Sequence, residues 1–236
     1  MARKVCLVTG VGPGTGSAVV RKFAETYDVA MLARSEERLQ ALSEEMPNAH
    51  AYPCDVTDTD ALNACVERVG SDLDAPSVVV HNAVGGAFGS FLDIDPEVLE
   101  RNFQVNTMAL LHLARATAPA MVERGGGAIV ITGNTAMYRG VAHFAGFAPT
   151  KAAQRILAEA MARDLGPKRV HVCLVAIDAV IDLEWTRKRW PDEDDEFFCK
   201  PADIAGEVYH MAHQPHSAWS FSSVIRPFGE TFSLNQ

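Results

Sequence analysis

The fold of this chain is set by Thr9-Gly10-Val11-Gly12-Pro13-Gly14-Thr15-Gly16. A short apolar run, residues 5–8, leads into this glycine-rich stretch, and an amphipathic run, residues 17–26, follows it. A strand, a glycine turn and a helix in this order can hold a pyrophosphate, because glycines let the backbone approach phosphates without Cβ clashes. A helix that opens at about Gly14 would add free N–H groups and the positive end of its dipole.

The spacing of the glycines differs from the best-known dinucleotide pattern, which is G-x-G-x-x-G. This chain has T-G-x-x-x-G-x-G instead. Any turn between a strand and a helix could contain such glycines, but the position directly after an apolar strand favours nucleotide binding. The residues predicted to surround the phosphates are Gly10, Gly12, Pro13, Gly14, Thr15 and Gly16.

The whole chain has the size and composition of one α/β domain. Its 236 residues contain no linker, charge block or repeat, so we expect a single domain over residues 1–236. The net charge of −9 argues against nucleic acid and anionic membranes as partners. Five scattered cysteines without C-x-x-C spacing indicate reduced, buried thiols and no metal site. Without an apolar segment of signal-peptide or membrane length, the sequence predicts a cytoplasmic protein.

Apolar runs alternate with amphipathic stretches along most of the chain. The runs are continuous rather than alternating, which is typical of a parallel sheet covered on both faces. We therefore predict a doubly wound, Rossmann-type α/β fold. The longest helices are expected at residues 96–124 and 148–165. The predicted strands are residues 5–8, 29–33, 49–54, 77–81, 128–132, 170–177 and 223–226.

The regular pattern loosens after residue 177. Residues 182–200 contain two tryptophans, a basic cluster and an acidic run. In a fold of this class, a late insertion near the carboxyl ends of the strands often covers the substrate. The alternative is a pair of solvated surface helices, and the sequence leaves both interpretations open.

With these elements in order, the sequence resembles the short-chain dehydrogenase/reductase family over essentially its whole length. Besides the glycine turn, three motifs carry the resemblance. Two of them follow the third and fourth strands, where the family has an adenine-binding pair and an Asn-Ala-Gly motif, and the third is an asparagine inside the long helix. The matching residues are Asp55, Val56, Asn82, Ala83 and Asn106.

The resemblance implies a nicotinamide cofactor, a small-molecule substrate and assembly as a homodimer or homotetramer through the two long helices. Arg34, at the end of the second strand, bears on the choice of cofactor. A carboxylate there would bind the ribose of NAD and repel a 2′-phosphate, whereas a guanidinium beside Ser35 suits a phosphate. Arg34 could instead lie over the adenine with either cofactor. The sequence favours NADP, with NAD as the alternative.

The stretch that carries the family's chemistry departs from its pattern. The resemblance implies a Ser, a Tyr thirteen residues later and a Lys four residues beyond that. Lys151 matches, but the other two positions hold Asn134 and Phe147. In the family, the Tyr hydroxyl protonates the substrate carbonyl, and Phe147 has no such proton. Asn134 could still hydrogen-bond a carbonyl, and Lys151 could still bind the nicotinamide ribose.

Three other residues are candidates for the missing proton donor. Tyr138 lies on the loop after the fifth strand and could turn into the site. His143 can titrate near neutral pH, although it could equally be a polar loop residue. Asp178 follows the sixth strand and could act as an acid if burial raised its pKa, or could brace the next loop.

The sequence thus leaves three hypotheses for the function. The first is an NADP-dependent oxidoreductase acting on a small carbonyl or alcohol with an unusual proton donor. The second is an NADP-binding protein without redox turnover, and the third is a family member turned to a non-redox reaction such as elimination or isomerisation. The retained motifs favour use of the nucleotide, and the loss of Ser and Tyr favours the second and third hypotheses.

Overall fold

The computed structural model describes residues 3–229, and within them seven parallel strands form one sheet in the order β3-β2-β1-β4-β5-β6-β7. The continuous apolar runs form its buried strands, as predicted. The doubly wound α/β architecture is therefore confirmed. The strands are β1 Lys4–Thr9, β2 Tyr27–Ala33, β3 Ala49–Pro53, β4 Val78–His81, β5 Gly127–Asn134, β6 Val170–Ile177 and β7 Ser222–Ile225.

Helices cover both faces of the sheet. One apolar core lies between the sheet and α1, α2 and α8, and the other lies between the sheet and α3, α5 and α6. Covering both faces removes the apolar strand residues from water, which is the main stabilising term in such a fold. The helices are α1 Thr15–Ala24, α2 Glu36–Glu45, α3 Thr59–Asp72, α4 Pro96–Phe103, α5 Ala109–Glu123, α6 Ala148–Leu165, α7 Glu184–Arg189 and α8 Pro201–Ala212.

The long helix predicted at residues 96–124 contains an irregularity that the apolar pattern does not reveal. It begins as expected, with the Asp95 side chain accepting a hydrogen bond from the Glu97 N–H at 2.9 Å. A π-helical segment, Gln104–Met108, then separates α4 from α5. Such single-turn segments are frequent at functional sites. This one contains Asn106, which is fully buried.

The strand order reverses beside β1, and this reversal creates a binding crevice. β1 pairs with β2 on one side and with β4 on the other. The connections after β1 and β4 therefore leave the sheet toward opposite faces, and a crevice opens between them at the carboxyl ends of the strands. Gly10 follows β1 and Asn82 follows β4, so both residues stand at this crevice.

Residues 182–200 form a strap with one short helix, α7, so the alternative of two surface helices is wrong. Arg187 holds the strap together through ion pairs with Asp182 at 2.7 Å and Asp195 at 2.8 Å. The same guanidinium lies 4.0 Å from the centre of the Phe198 ring. In the part of the chain that the structure describes, no helix is both long and apolar enough to span a membrane.

Candidate active site

A cleft of about 1490 Å³ runs along the carboxyl ends of the strands. The glycine turn lines one part of it, and the start of α6 lines another. Asn106 is not one of the lining residues, but its neighbour Val105 is, and its Nδ2 donates to the Thr150 hydroxyl of α6 at 2.8 Å. The predicted residues that line the cleft are Gly10, Gly12, Pro13, Gly14, Thr15, Gly16, Arg34, Asp55, Val56, Asn82, Ala83, Asn134, Phe147 and Lys151.

The glycine turn has the close backbone packing that its sequence predicts. Gly10 has φ +69°, and a Cβ there would lie 2.5 Å from the Cα of Ala83. A Cβ on Gly16 would collide with the carbonyl oxygen of Gly10. Within residues 3–229, no hydrogen bond uses the N–H groups of Gly14 and Thr15 at the start of α1. The turn therefore presents free donors in a cradle that a side chain would fill, which suits a pyrophosphate.

Asn82 holds this turn in place. Its Nδ2 donates to the carbonyl of Gly10 at 2.8 Å, and its Oδ1 accepts from the Thr132 hydroxyl at 2.9 Å. These two hydrogen bonds connect the ends of β1, β4 and β5. The asparagine therefore fixes the position of the Gly10 carbonyl, while both its Nδ2 and its Oδ1 have partners.

Charged side chains near the ends of β2 and β3 line the same cleft. Asp55 accepts from the Thr57 N–H at 3.0 Å and from the Thr57 hydroxyl at 2.8 Å. These hydrogen bonds, followed by the charges of Arg34 and Arg101, hold the pKa of Asp55 below its usual value. Arg34 is exposed and lines the cleft together with Arg38.

Two of these arginines were missed by the sequence reasoning. Arg38 lies four residues after Arg34, one helical turn into α2, so its spacing was a usable signal. Ser35 caps α2 by accepting from the Arg38 N–H at 3.4 Å, which directs the helix N-terminus toward the same region. Arg101 comes from α4 and is brought near Asp55 only by the fold.

Lys151 lies at the other end of the cleft and is almost fully buried, with 2% of its surface exposed. Its Nζ donates to the carbonyl of Thr132 at 3.3 Å and to Oε1 of Gln154. Burial lowers the pKa of Lys151 from 10.5 to about 7. The amine and the ammonium are therefore both populated near neutral pH.

A hydrogen-bond network ties Lys151 to the π-helical segment. Gln154 donates from Nε2 to the Asn106 carbonyl at 2.6 Å. The Asn106 side chain donates to the Gly85 carbonyl and to the Thr150 hydroxyl, both at 2.8 Å, and accepts from the Gly85 N–H at 2.9 Å. Asn106 thus joins the loop after β4 to α6. The network also contains Gln154, which the sequence reasoning missed although it lies three residues after Lys151.

The two positions that depart from the family pattern face the same part of the cleft. Phe147 directly precedes α6, is 8% exposed and packs with its ring centre 6.2 Å from that of Phe144. Asn134 ends β5, and its Oδ1 is buried with no hydrogen-bond partner among residues 3–229. An unpaired buried oxygen is costly, so a ligand that donates to Asn134 would relieve that cost.

The structure does not bring the three candidate substitutes to the cleft. The Tyr138 hydroxyl bonds to the Ser222 hydroxyl at 2.7 Å, and its ring lies under Arg155. His143 is exposed, and its carbonyl accepts from Gly89 at 2.9 Å. Asp178 is buried and accepts from the Thr135 hydroxyl at 2.9 Å, so it contacts the segment that follows β5.

The strap contributes one wall of the cleft. Leu183 packs against the glycine turn so closely that a Cβ on Gly14 would lie 2.5 Å from its Cδ2. Trp185, which is 59% exposed, and Lys188 line the rim. The first half of the strap therefore stands beside the turn.

Comparisons with known proteins agree with this geometry. The family model described as short chain dehydrogenase matches residues 4–193. The chain is 33% identical over 188 residues to D-erythrulose reductase of Gallus gallus, covering 79% of this chain and 74% of that protein. It is 30% identical to L-xylulose reductase of Mesocricetus auratus, covering 81% and 78%. A crystal structure of a metagenomic short-chain oxidoreductase in complex with NADP is 28% identical and superposes with a TM-score of 0.83, covering 97% of this chain and 99% of that one.

Proposed function

The chain belongs to the short-chain dehydrogenase/reductase family, and from that premise we propose that it is an NADP-dependent oxidoreductase acting on a small carbonyl compound or alcohol. One observation carries the proposal. The glycine turn, Arg34 and Lys151 all line a single cleft. An anion-binding turn, a phosphate partner and a buried amine in one cleft are what such a reaction requires.

The charges at the ends of β2 and β3 support NADP over NAD. Arg34, Ser35 and Arg38 line the cleft where the ribose of a dinucleotide lies in this fold. Guanidinium groups and a hydroxyl bind a 2′-phosphate well, because several charge-assisted hydrogen bonds form at once. The NADP held by the similar metagenomic oxidoreductase is consistent with this choice.

The residues present fit the nicotinamide cofactor. Gly10 and Gly16 leave the space that a Cβ would fill, and Asn134 offers an unpaired acceptor. When bound, the nicotinamide supplies a hydride to a carbonyl carbon or accepts one from an alcohol. Lys151 would lie beside the nicotinamide ribose, and the Asn134 amide would hydrogen-bond the substrate oxygen as its negative charge grows.

Phe147 favours a second candidate function, which is nucleotide binding without redox turnover. The family's proton donor is a hydroxyl, and a phenyl ring stands in its position. A sensor or accessory subunit would keep the turn and the Asn106 network while losing that hydroxyl. A non-redox reaction in the same pocket would also tolerate the change.

Titration of the protein with NADPH, followed by nicotinamide fluorescence, separates these candidates. We expect saturable binding, tighter for NADPH than for NADH. Loss of nicotinamide absorbance with a panel of carbonyl compounds, beginning with D-erythrulose and L-xylulose, then tests turnover. Binding without turnover of any compound would favour the second candidate, and no binding would refute both.

Three further parts of the proposal concern the rest of the molecule. The strap at residues 182–200 covers the bound substrate, which is supported by Trp185 and Lys188 at the rim. The chain assembles as a homodimer or homotetramer through α4, α5 and α6, where Ile156 is 57% exposed. Light scattering that gives a monomeric mass at micromolar concentration would exclude the assembly.

The five cysteines are all free and buried, which supports a reducing, cytoplasmic location.

A further inference from the structure

Few ionisable groups stand where Asn134 and Phe147 face the cleft. Among the described residues that line it, the ionisable side chains other than Lys151 belong to two other places. The ends of β2 and β3 carry Arg34, Arg38, Cys54 and Asp55, with Arg101 near them, and the rest lie on the strap. Lys151, one helical turn after Phe147, is the ionisable group of the cleft that shares this end with Asn134.

The hydrogen bonds of Lys151 leave donor capacity for a ligand. An ammonium carries three N–H donors. Two of them are directed to the Thr132 carbonyl and to Gln154, so one is left for the cleft that the side chain lines. In the family pattern a tyrosine hydroxyl stands four residues before the lysine. Phe147 occupies that position here, and its ring can neither accept a proton from the Lys151 ammonium nor pass one on to a substrate.

Gln154 controls where the ammonium points. Its side chain is fully buried, and its Oε1 accepts from Lys151 while its Nε2 donates to the Asn106 carbonyl at 2.6 Å. The amide therefore cannot turn away without losing a buried hydrogen bond. Because it is neutral, it holds the ammonium without the stabilising charge that a carboxylate would add.

The neighbours of Lys151 supply no negative charge that would stabilise its ammonium. His81 on β4 faces it, and burial and the Lys151 charge lower the pKa of His81 to about 3, so it is neutral. Asp178, at the end of β6, accepts from Thr135, and no described carboxylate affects Lys151, whose pKa is lowered by burial alone. The neighbours on β5 and α6 are the neutral Thr132 carbonyl and Gln154.

We infer that Lys151 is itself the proton donor to the substrate oxygen, directly or through one water, and that Gln154 is its positioning residue. The inference rests on the proposed carbonyl reduction. The carbonyl carbon would gain the hydride that the bound nicotinamide cofactor supplies, the C=O π pair would move onto the oxygen, and that oxygen would take a proton from the Lys151 ammonium. The products would be an alcohol, the oxidised cofactor and a neutral amine, which recovers its proton from solvent. In the reverse direction the neutral amine accepts the alcohol proton.

Lys151→Arg and Gln154→Glu test the donor and the positioning residue separately. Arginine keeps the charge and the hydrogen bonds but does not release a proton in proteins. We expect wild-type kcat for reduction to fall tenfold per pH unit above about 7, because only the ammonium donates. Lys151→Arg should lower kcat by about 10²–10⁴-fold and abolish this alkaline limb, which is the fall of kcat above pH 7. The Kd for NADPH should change less than about tenfold.

Gln154→Glu places an anion beside the ammonium and should raise the pKa of Lys151, so the limb moves to higher pH. The control is Lys168→Arg on the surface just after α6, which should leave the profile unchanged. A readout without turnover is NMR of ¹³Cε-labelled lysine, in which Lys151 should titrate near pH 7 and higher in Gln154→Glu.

The outcomes separate this inference from the proposed function. If Lys151→Arg keeps the wild-type kcat and profile, or if Lys151 titrates near 10.5, the donor role is refuted and the reductase stands. If Gln154→Glu moves neither the limb nor the NMR titration, the positioning role is refuted. If the wild type binds NADPH and Lys151 titrates near 7 but no carbonyl is reduced, the proposed function fails and the donor role with it.

Discussion

The two ends of the cleft are built on different physical grounds. At the turn end, formed by Gly10, Gly16 and Asn82, the packing of backbone against backbone dictates the residues. At the lysine end, Lys151 matches the family pattern, but Asn134 and Phe147 stand where that pattern has Ser and Tyr. The fold therefore requires the glycines but does not require the hydroxyl groups. Chemistry can change at the lysine end while the turn end stays as it is.

The two ends also differ in how well their buried polar groups are paired. Asn82 at the turn end has its amide paired on both sides. The lysine end contains a buried amine and the unpaired Oδ1 of Asn134. Both features reduce stability, and both are common where a site is arranged for a ligand or a reaction rather than for packing.

The largest effect is expected from Lys151→Met. A pKa lowered from 10.5 to about 7 corresponds to on the order of 5 kcal/mol of unfavourable charging in the folded state. Between these pH values the Lys151 side chain holds more protons in the unfolded than in the folded chain, so its own contribution to the unfolding free energy rises with pH from about 7 to 10. The Met variant should lack this rise and be the more stable protein at pH 6.

Urea unfolding at several pH values measures this difference. Lys168→Met is the matched control, because this exposed lysine only pairs with Asp164 on the surface. Buried groups with raised pKa values act in the opposite direction, the cysteine thiols above about pH 9 and Tyr27 and Tyr52 above about pH 10. Both proteins contain these groups, so their effect cancels in the comparison. If the unfolding free energy of the wild type and of Lys151→Met changes equally with pH, the Lys151 amine is well solvated.

The second effect is expected from Gly16→Ala at the turn end. The new Cβ would collide with the Gly10 carbonyl and lie 2.8 Å from the Val11 Cα. Overpacking against backbone costs about 1–3 kcal/mol, and we expect NADPH binding to be lost together with that stability. Gly70→Ala in α3 is the control, since nothing lies within 4 Å of a Cβ there. It should stabilise slightly, by about 0.4–1 kcal/mol. Equal unfolding midpoints for the two variants would contradict the steric argument.

The sequence predicted the sheet and the turn end well, for physical reasons. Buried parallel strands give continuous apolar runs, and the carboxyl ends of neighbouring strands meet at one edge, so Gly10 and Asn82 had to converge. Lys151 could be placed because it is early on a helix. These features depend on local patterns that a single sequence displays.

The rest of the site depends on contacts between distant residues. Tyr138 is turned away by Ser222, which is 84 residues further along, and Asp178 is engaged by Thr135, 43 residues before it. The π-helical segment adds one residue to a turn and leaves the apolar pattern almost unchanged. Gln154 had a local signal, its distance of three residues from Lys151, but its bond to Asn106 requires the fold.

The third effect is expected from Arg34→Asp, which replaces a phosphate partner by a repelling charge. NADPH affinity should fall by about 10²-fold, while NADH affinity changes much less, since a charge-assisted pair becomes a like-charge contact. Arg21→Asp changes the net charge equally on an exposed face of α1, with the arginine side chain 47% exposed, and serves as the control. Equal losses for both cofactors would show that Arg34 does not contact the 2′-phosphate.

The smallest effect, and the sharpest test of the lysine end, is expected from Phe147→Tyr. At pH 8 a donor with a pKa of about 7 is about one-tenth protonated, whereas a tyrosine with an ordinary pKa near 10 is fully protonated. Reductase activity of the variant should therefore rise about tenfold at pH 8 and change little at pH 6. Adding Asn134→Ser completes the family pair and should preserve the gain.

Phe144→Tyr is the matched control, because its ring lies against Phe147 but does not line the cleft. Stopped-flow rates of NADPH oxidation across pH 6–9 give the comparison. A gain of equal size at pH 6 and pH 8 would mean that Lys151 limits the wild type at neither pH, so its ammonium could not be the donor. Absence of any gain would mean that the new hydroxyl does not reach the substrate. In that case the backbone at the start of α6, and not the side chain alone, distinguishes this site from the family pattern.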